Sequence, residues 1–263
     1  MPLPDAHAHL QFAELQEIDL QSYFQAGHQV AVNGTHPGDW GVVAELARTY
    51  AGRVIPQFGV HPWEVRDLPS GWEATLRHYL QEFPCAGVGE VGLDKWVRGA
   101  NVPLQLSILR PQLAIAQQLQ RPVTLHCLRA WGTLRDLLRQ ERLTVPFLLH
   151  AYAGPAEWVE EFAEMGAYFS FSPYFLHERK RAAAVERFAR VPASRLLIET
   201  DAPAMLGPAE TWGAEQEPWS QTHQHPSNLA CIYAATAQAL NRDLTTLTSH
   251  CTANFQALFR GAE

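Results

Sequence analysis

Cysteine is scarce in this 263-residue chain. There are four, Cys85, Cys127, Cys231 and Cys251, and no two form a Cys-x-x-Cys pair. That excludes a disulfide-framed scaffold and a cysteine zinc clip. It leaves buried thiols in a reducing compartment, so a cytoplasmic protein is expected. Positive charge is also short: 20 Lys and Arg face 27 Asp and Glu, a formal net charge of −7. A protein that coats nucleic acid through a basic surface would show the opposite balance, so a phosphate-bearing substrate would need a local source of positive charge. A metal cluster would supply one. No stretch of about 18 apolar residues exists, which excludes a helical membrane span. The N-terminal MPLPDAHAHL lacks the basic start and apolar run of a secretion signal. Low-complexity segments, strong internal repeats and linkers are lacking too. A single domain over residues 1–263 is therefore expected, with no membrane and no obligate protein partner implied.

What is present is an apolar content of 47%, enough for a substantial core, arranged as short apolar runs alternating with helical periods. The runs cover 3–10, 29–34, 54–60, 85–94, 122–127, 145–149, 167–172 and 195–198. The fourth, CAGVGEVGLD, is expected to break into a turn at its glycines. Between the runs, Val42, Val43, Leu46, Ala47 and Tyr50 recur at helical spacing. So do Leu106, Leu109, Leu113, Ala116 and Leu119, on a helix that Pro111 should kink or divide. Val185, Phe188 and Ala189 are expected to face inward on a third. Eight strand-like runs alternating with helices predict a (β/α)8 TIM barrel, whose site lies at the C-terminal ends of the strands. The segment from 203 to 226, rich in Trp, Pro, Glu and Gln, is too long for an ordinary loop and reads as a functional flap. Two helices, about 227–240 and 245–259, close the chain.

Candidate metal ligands fall at those same strand ends. Asp5, His7 and His9 lie two apart and should share one face of the first strand. Glu90 stands among glycines in the fourth run, where a carboxylate is costly to bury unless it has a partner. His126, His150 and Asp201 end the fifth, sixth and eighth runs, and His61 ends the third. Any one of these histidines alone would more often be structural. Convergence of His7, His9, Glu90, His126, His150 and Asp201 at one face is another matter. Four would complete one tetrahedral site; six, with a bridging carboxylate, suit two cations about 3.5–4 Å apart. Mixed imidazole and carboxylate ligands favour Zn, Mn, Ni or Fe over Mg. Such cations lower the pKa of a bound water. Asp201 can both ligate and take the water's proton, which makes it, with Glu90, the expected catalytic pair. Glu199, two residues before Asp201, either orients water or a ligand at the substrate side or is a buried partner for a barrel lysine or arginine.

Seven segments carry a resemblance: DAHAH (5–9), GVHP (59–62), GEVGLD (89–94), PVTLHC (122–127), LHAYAG (149–154), IETDAP (198–203) and TANFQALF (252–259). Together they resemble the TatD family of metal-dependent deoxyribonucleases, within the wider amidohydrolase-like barrels, over nearly the whole chain. The resemblance implies a two-metal phosphodiesterase that removes nucleotides from DNA ends, commonly 3′→5′ on single strands, with a DNA end or a small phosphoester as substrate. It also implies that His7, His9 and Asp201 hold one ion, His126 and His150 the other, and Glu90 both, with His61 and Asp94 lining the substrate side. The chain departs from the family after the fifth-strand histidine. The family's arginine is replaced by Leu128, with Arg129 beside it. HAYAG stands for the family's HxFxG. Lys95-Trp96 follows GLD, where an aromatic pair is common. A related enzyme cleaving a C–N or lactone bond is one rival, although those relatives often carry a modified lysine where Glu90 stands. A metal-binding barrel without turnover is the other.

Overall fold

The computed structural model describes residues 2–15, 18–212 and 222–259. Among these residues eight parallel strands run in chain order: β1 (Pro4–Ala8), β2 (Gln29–Asn33), β3 (Val54–Gln57), β4 (Val88–Asp94), β5 (Val123–Leu128), β6 (Phe147–Leu149), β7 (Ala167–Phe171) and β8 (Leu196–Ile198). Continuous ladders join β1 to β3 and β4 to β8. Two seams close the ring. At one, Phe58 and Gly87 bond across to each other's strands, with Phe58 N–H on Gly87 O at 3.0 Å and Gly89 N–H on Phe58 O at 3.1 Å. At the other, Asp201 N–H reaches His7 O at 2.9 Å and His9 N–H reaches Ala202 O at 2.7 Å. The result is the expected (β/α)8 barrel.

The helices are α1 (Leu20–Gln25), α2 (Trp40–Thr49), α3 (Trp72–Glu82), α4 (Val102–Leu119), α5 (Trp131–Glu141), α6 (Val159–Glu164), α7 (Glu178–Ala189), α8 (Leu229–Ala239) and α9 (Leu244–Phe259). Their apolar faces bury the outward strand residues, Val30, Val54, Val88, Val123, Phe147 and Phe169 among them, in one large core. A smaller cluster collects the other strand face: Ala6, Ala31, Ile55, Leu148, Tyr168 and Leu197, closed by Phe255, Leu258 and Phe259 of α9. We read this as the barrel's floor. Asn254 of α9 ties the helix there, donating to Ala193 O and Leu196 O at 2.8 Å each.

Side chains two apart on a strand share a face. One step above the floor, on the same inward face, stand Asn33, Gln57, His150, Ser170 and Glu199, all buried. The strand period thus converts an apolar floor into a polar layer within one residue pair, and the ligands sit in that layer.

Several expectations are corrected here. The fourth run does not break at its glycines: β4 continues to Asp94, paired with β5 as far as Leu128, with a register shift between Val88 and Val91. Gly92 permits this (φ +151°), because a Cβ there would collide with the His126 carbonyl of the neighbouring strand. Asp5 does not share a face with His7 and His9. The β1–β2 register shifts between Asp5 and Ala8, and the Asp5 carboxylate accepts from Thr200 N–H at 2.9 Å and Thr200 Oγ at 2.6 Å. Val42 is exposed on α2, and Ala189 is exposed on α7. Of the 203–226 flap, residues 213–221 lie outside the described residues; its two ends are tied, with Gln224 N–H on Pro203 O at 2.9 Å.

On α4 the expected stripe is buried at Leu109, Leu113 and Ala116, but polar residues share that face. The helix is undivided by Pro111, and its buried face includes Gln105 and Gln112. Gln105 accepts Asp94 N–H at 3.0 Å and donates to Asp94 O at 2.9 Å. Gln112 accepts Val60 N–H at 2.7 Å. Where β3 and β4 end, their backbone groups lose ladder partners, and a buried unpaired group is expensive; the two glutamines satisfy them. Leu106 and Leu119 are consequently only partly buried. Gln105→Ala is expected to cost about 1–3 kcal/mol through the orphaned Asp94 amide, lowering Tm by several degrees in a thermal melt. An unchanged Tm would show that the Asp94 backbone is satisfied without this side chain.

Candidate metal centre

Glu90 lies inside β4 and is almost completely buried. Its two carboxylate oxygens face different partners. Oε2 lies 3.3 Å from His7 Nε2 and 3.1 Å from His9 Nε2. Oε1 lies 2.9 Å from both His126 Nδ1 and His150 Nε2. Asp201, at φ +53° just past β8, joins the first set, its Oδ1 3.5 Å from His7 Nε2 and 3.6 Å from His9 Nε2. All six expected ligands are therefore brought together, in two groups on the two oxygens of one carboxylate. His61 stands at the second group, its Nε2 3.4 Å from Glu90 Oε1.

The ligand rings are held from behind. Asp94 Oδ2 takes His126 Nε2 at 3.0 Å, which is why His126 alone turns Nδ1 toward Glu90. His150 Nδ1 lies 3.5 Å from Glu199 Oε1, and the other Glu199 oxygen accepts a short hydrogen bond from Ser170 Oγ. His9 Nδ1 bonds the Asn33 carbonyl at 2.8 Å. Buried partners of this kind fix ring orientation and tautomer at metal sites. They also correct two expectations. Asp94 is fully buried behind His126, so its carboxylate does not face a substrate, and Glu199's partners are His150 and Ser170, not a lysine or arginine. Asn33 and Ser170 were not singled out in the sequence. Asn33 acts through its backbone, which no side-chain pattern reveals, and Ser170 looks like any alternating strand residue.

Leu128 ends β5, and Arg129 follows it. Cys127 packs in the outer core, so by alternation Leu128, half-buried, faces the mouth. The chain leaves strand geometry only at Arg129, where φ is +57°, and Arg129 is exposed. Tyr152, the aromatic of HAYAG, is fully buried and satisfies its hydroxyl on Pro155 O at 2.7 Å.

Charge in the centre is finely divided. Burial disfavours ionisation of Glu90, yet His150, His61 and His7 hold it well below the usual carboxylate range. Burial likewise opposes charge on His150, but Glu90 and Glu199 lift it well above the ordinary imidazole value. His7 goes the other way, neutralised by burial and by His150, whose ring is stacked on it with centroids 4.0 Å apart. Burial pushes Asp201 up to about 7. Two stacked imidazoles sharing one charge, beside three buried carboxylates, form a donor set that divalent cations would satisfy better than protons. The His7 Nδ1 atom is buried without a hydrogen-bond partner, and four overlapping groups of residues have ligand atoms close enough to share an ion: His7, His9 and Asp201; His7, Glu90 and His150; His61, Glu90 and His126; His150, Glu199 and Asp201. The residues fit a metal centre.

A mixed histidine–carboxylate cluster at the C-terminal mouth of a closed (β/α)8 barrel is the arrangement of a metal-dependent hydrolase. The sequence profile of the family described as TatD related DNase matches residues 4–260. A 3′-5′ ssDNA/RNA exonuclease TatD from Citrobacter koseri is 32% identical over 203 residues, 76% of either chain. The human Deoxyribonuclease TATDN3 is 29% identical over 237 residues, 83% of either chain. Among solved structures, a TatD homologue from Escherichia coli superposes with a TM-score of 0.86 at 24% identity, over 98% of both chains. The chain belongs to the TatD-related DNase family, hydrolases that act on phosphodiester bonds.

Because each Glu90 oxygen serves a different histidine group, Glu90→Gln is expected to weaken both ions together. Calorimetric titration should show two sites per wild-type chain and a joint loss of affinity in the variant. One ion lost and the other kept at full affinity would refute the bridge.

Proposed function

We propose that this protein is a metal-dependent 3′→5′ exonuclease hydrolysing DNA phosphodiester bonds, with two divalent cations, His7, His9 and Asp201 holding one, His126 and His150 the other, and Glu90 both. The observation that carries the reading is the division of Glu90's two oxygens between two ligand groups. Cations bound there would acidify a water and neutralise phosphate charge, which a chain of net charge −7 cannot do with its surface. Imidazole and carboxylate ligands suit Zn, Mn, Ni or Fe. Asp201, just past β8 with its Oδ1 beside His7 and His9, would be the group to accept the attacking water's proton. Glu90 stays ionised and acts as a fixed counter-charge. Asp94 and Glu199 keep the His126 and His150 rings in register, so that no ligand must reorient during turnover. His61 lines the mouth over the second group. Single-stranded DNA or RNA ends fit the names that the bacterial relatives carry, and four free thiols suit a reducing compartment such as the cytoplasm.

The chain loaded with Mn or Zn is expected to shorten end-labelled single-stranded DNA from its 3′ end, and a chelator to abolish this. Intact DNA ends together with hydrolysis of an amide or lactone would favour the amidohydrolase reading; no turnover of any of these would favour a binding barrel.

Leu128 sets the expected strength. A guanidinium at that inward position would offer a forked, charge-assisted hydrogen bond to phosphate. Its absence costs on the order of 1.5–3 kcal/mol, roughly ten- to a hundredfold. Arg129, turned out of the strand, is the nearest replacement. Leu128→Arg should raise turnover of DNA by about that factor at equal metal occupancy. No gain, with a large loss in Arg129→Ala, would show that Arg129 already holds the phosphate.

A further inference from the structure

Two tryptophans at the mouth are exposed, which is unusual for so large an apolar side chain: Trp63 at 50% and Trp96 at 54%, with Val97 beside them at 36%. Both are tied to one buried carboxylate. Asp94 Oδ2 accepts the Trp63 indole N–H at 2.8 Å, and Asp94 Oδ1 accepts the Trp96 backbone N–H at 2.5 Å. The same Oδ2 holds His126, so Trp63 is fixed one hydrogen-bonded residue away from the second ligand group.

Trp63 is immobilised from several sides. Its backbone N–H donates to His61 Nδ1 at 3.2 Å. Its ring meets His61 edge to face, with centroids 5.0 Å apart, and lies 6.5 Å from the His126 ring. The rest of the indole faces solvent. A rigid, half-exposed aromatic surface loses little entropy on contact, and every nucleobase offers it a π-face. An acidic chain gains little from general attraction to a polyanion, so an uncharged source of affinity next to the phosphate site has a clear use.

We propose that Trp63 is a stacking subsite for an unpaired nucleobase next to the phosphate held at the metal centre, with Trp96 and Val97 extending its apolar rim. This rests on the nuclease reading above and deepens it by assigning the side chain that would meet the base, since only an unpaired base has a free face to offer.

The test is a tryptophan-fluorescence titration of the metal-loaded full chain, with phosphorothioate linkages in both probes so that they resist cleavage. The two probes are a short thymidine oligomer and an abasic oligomer of equal length and charge. The wild type is expected to bind the thymidine oligomer about five- to a hundredfold more tightly. Trp63→Ala is expected to bring the two affinities together, and Trp63→Phe, which keeps a ring but loses the bond to Asp94, to preserve most of the difference. Equal binding of both oligomers by the wild type would overturn the proposal. So would undiminished discrimination in Trp63→Ala, or an equal loss in the Ala and Phe variants, which would assign the effect to Asp94 and His126. Because cleavage is not read, failure of the nuclease reading would appear separately, as metal-loaded wild type that leaves DNA ends intact.

Discussion

The centre depends on burying one carboxylate, Glu90, in the barrel interior. An isolated buried charge costs several kcal/mol at least. Here the cost is offset locally, since imidazole nitrogens from β1, β5 and β6 approach its two oxygens at 2.9–3.3 Å. The geometry admits little else. Gly89 faces Asn33 and Thr124, and Gly92 faces the β5 backbone, so side chains at either place would push β4 away from its neighbours. The glycines around Glu90 exist for close approach between strands. Turning the chain is not their role here, and that close approach is what lets one carboxylate reach both sides of the cluster.

From that pair of oxygens the constraint passes outward. His126 can present Nδ1 only while Asp94 holds Nε2, and Asp94 is held in turn by Gln105 through its backbone and by Trp63 through its side chain. His150 is backed by Glu199, and Glu199 by Ser170. Each chain of contacts ends in a helix or a neighbouring strand. Buried polar networks of this sort are costly when incomplete and rigid when satisfied. Ligand geometry therefore follows from how α4 and β7 pack, and not from the ligands alone.

This explains what the sequence disclosed and what it withheld. His126 and His150 were legible because each ends an apolar run, and period-2 alternation puts them above residues that face inward: Leu148 below His150, Thr124 below His126. The supporting residues were not. Gln105 and Gln112 sit where leucine would fit a helical stripe, and their reason, the unpaired backbone at the ends of β3 and β4, exists only once the barrel has closed. Asp5 was misplaced because a strand irregularity leaves no mark in composition. Asp94 was read as facing substrate because a strand-end carboxylate looks the same from sequence whether it points to the mouth or to the back of a histidine.

The same arrangement settles how metal binding relates to folding. In a small zinc domain the ligands are gathered only when the ion binds, and binding energy becomes folding energy. Here the floor of Ala31, Ile55, Leu148 and Leu197 is sealed by Phe255 and Phe259 of α9, at the opposite end of the strands from the ligands. The barrel's apolar packing does not pass through the centre. The donor set is therefore placed by the strands and their packing, and a cation bound there would compete for it with the protons of the imidazoles and carboxylates.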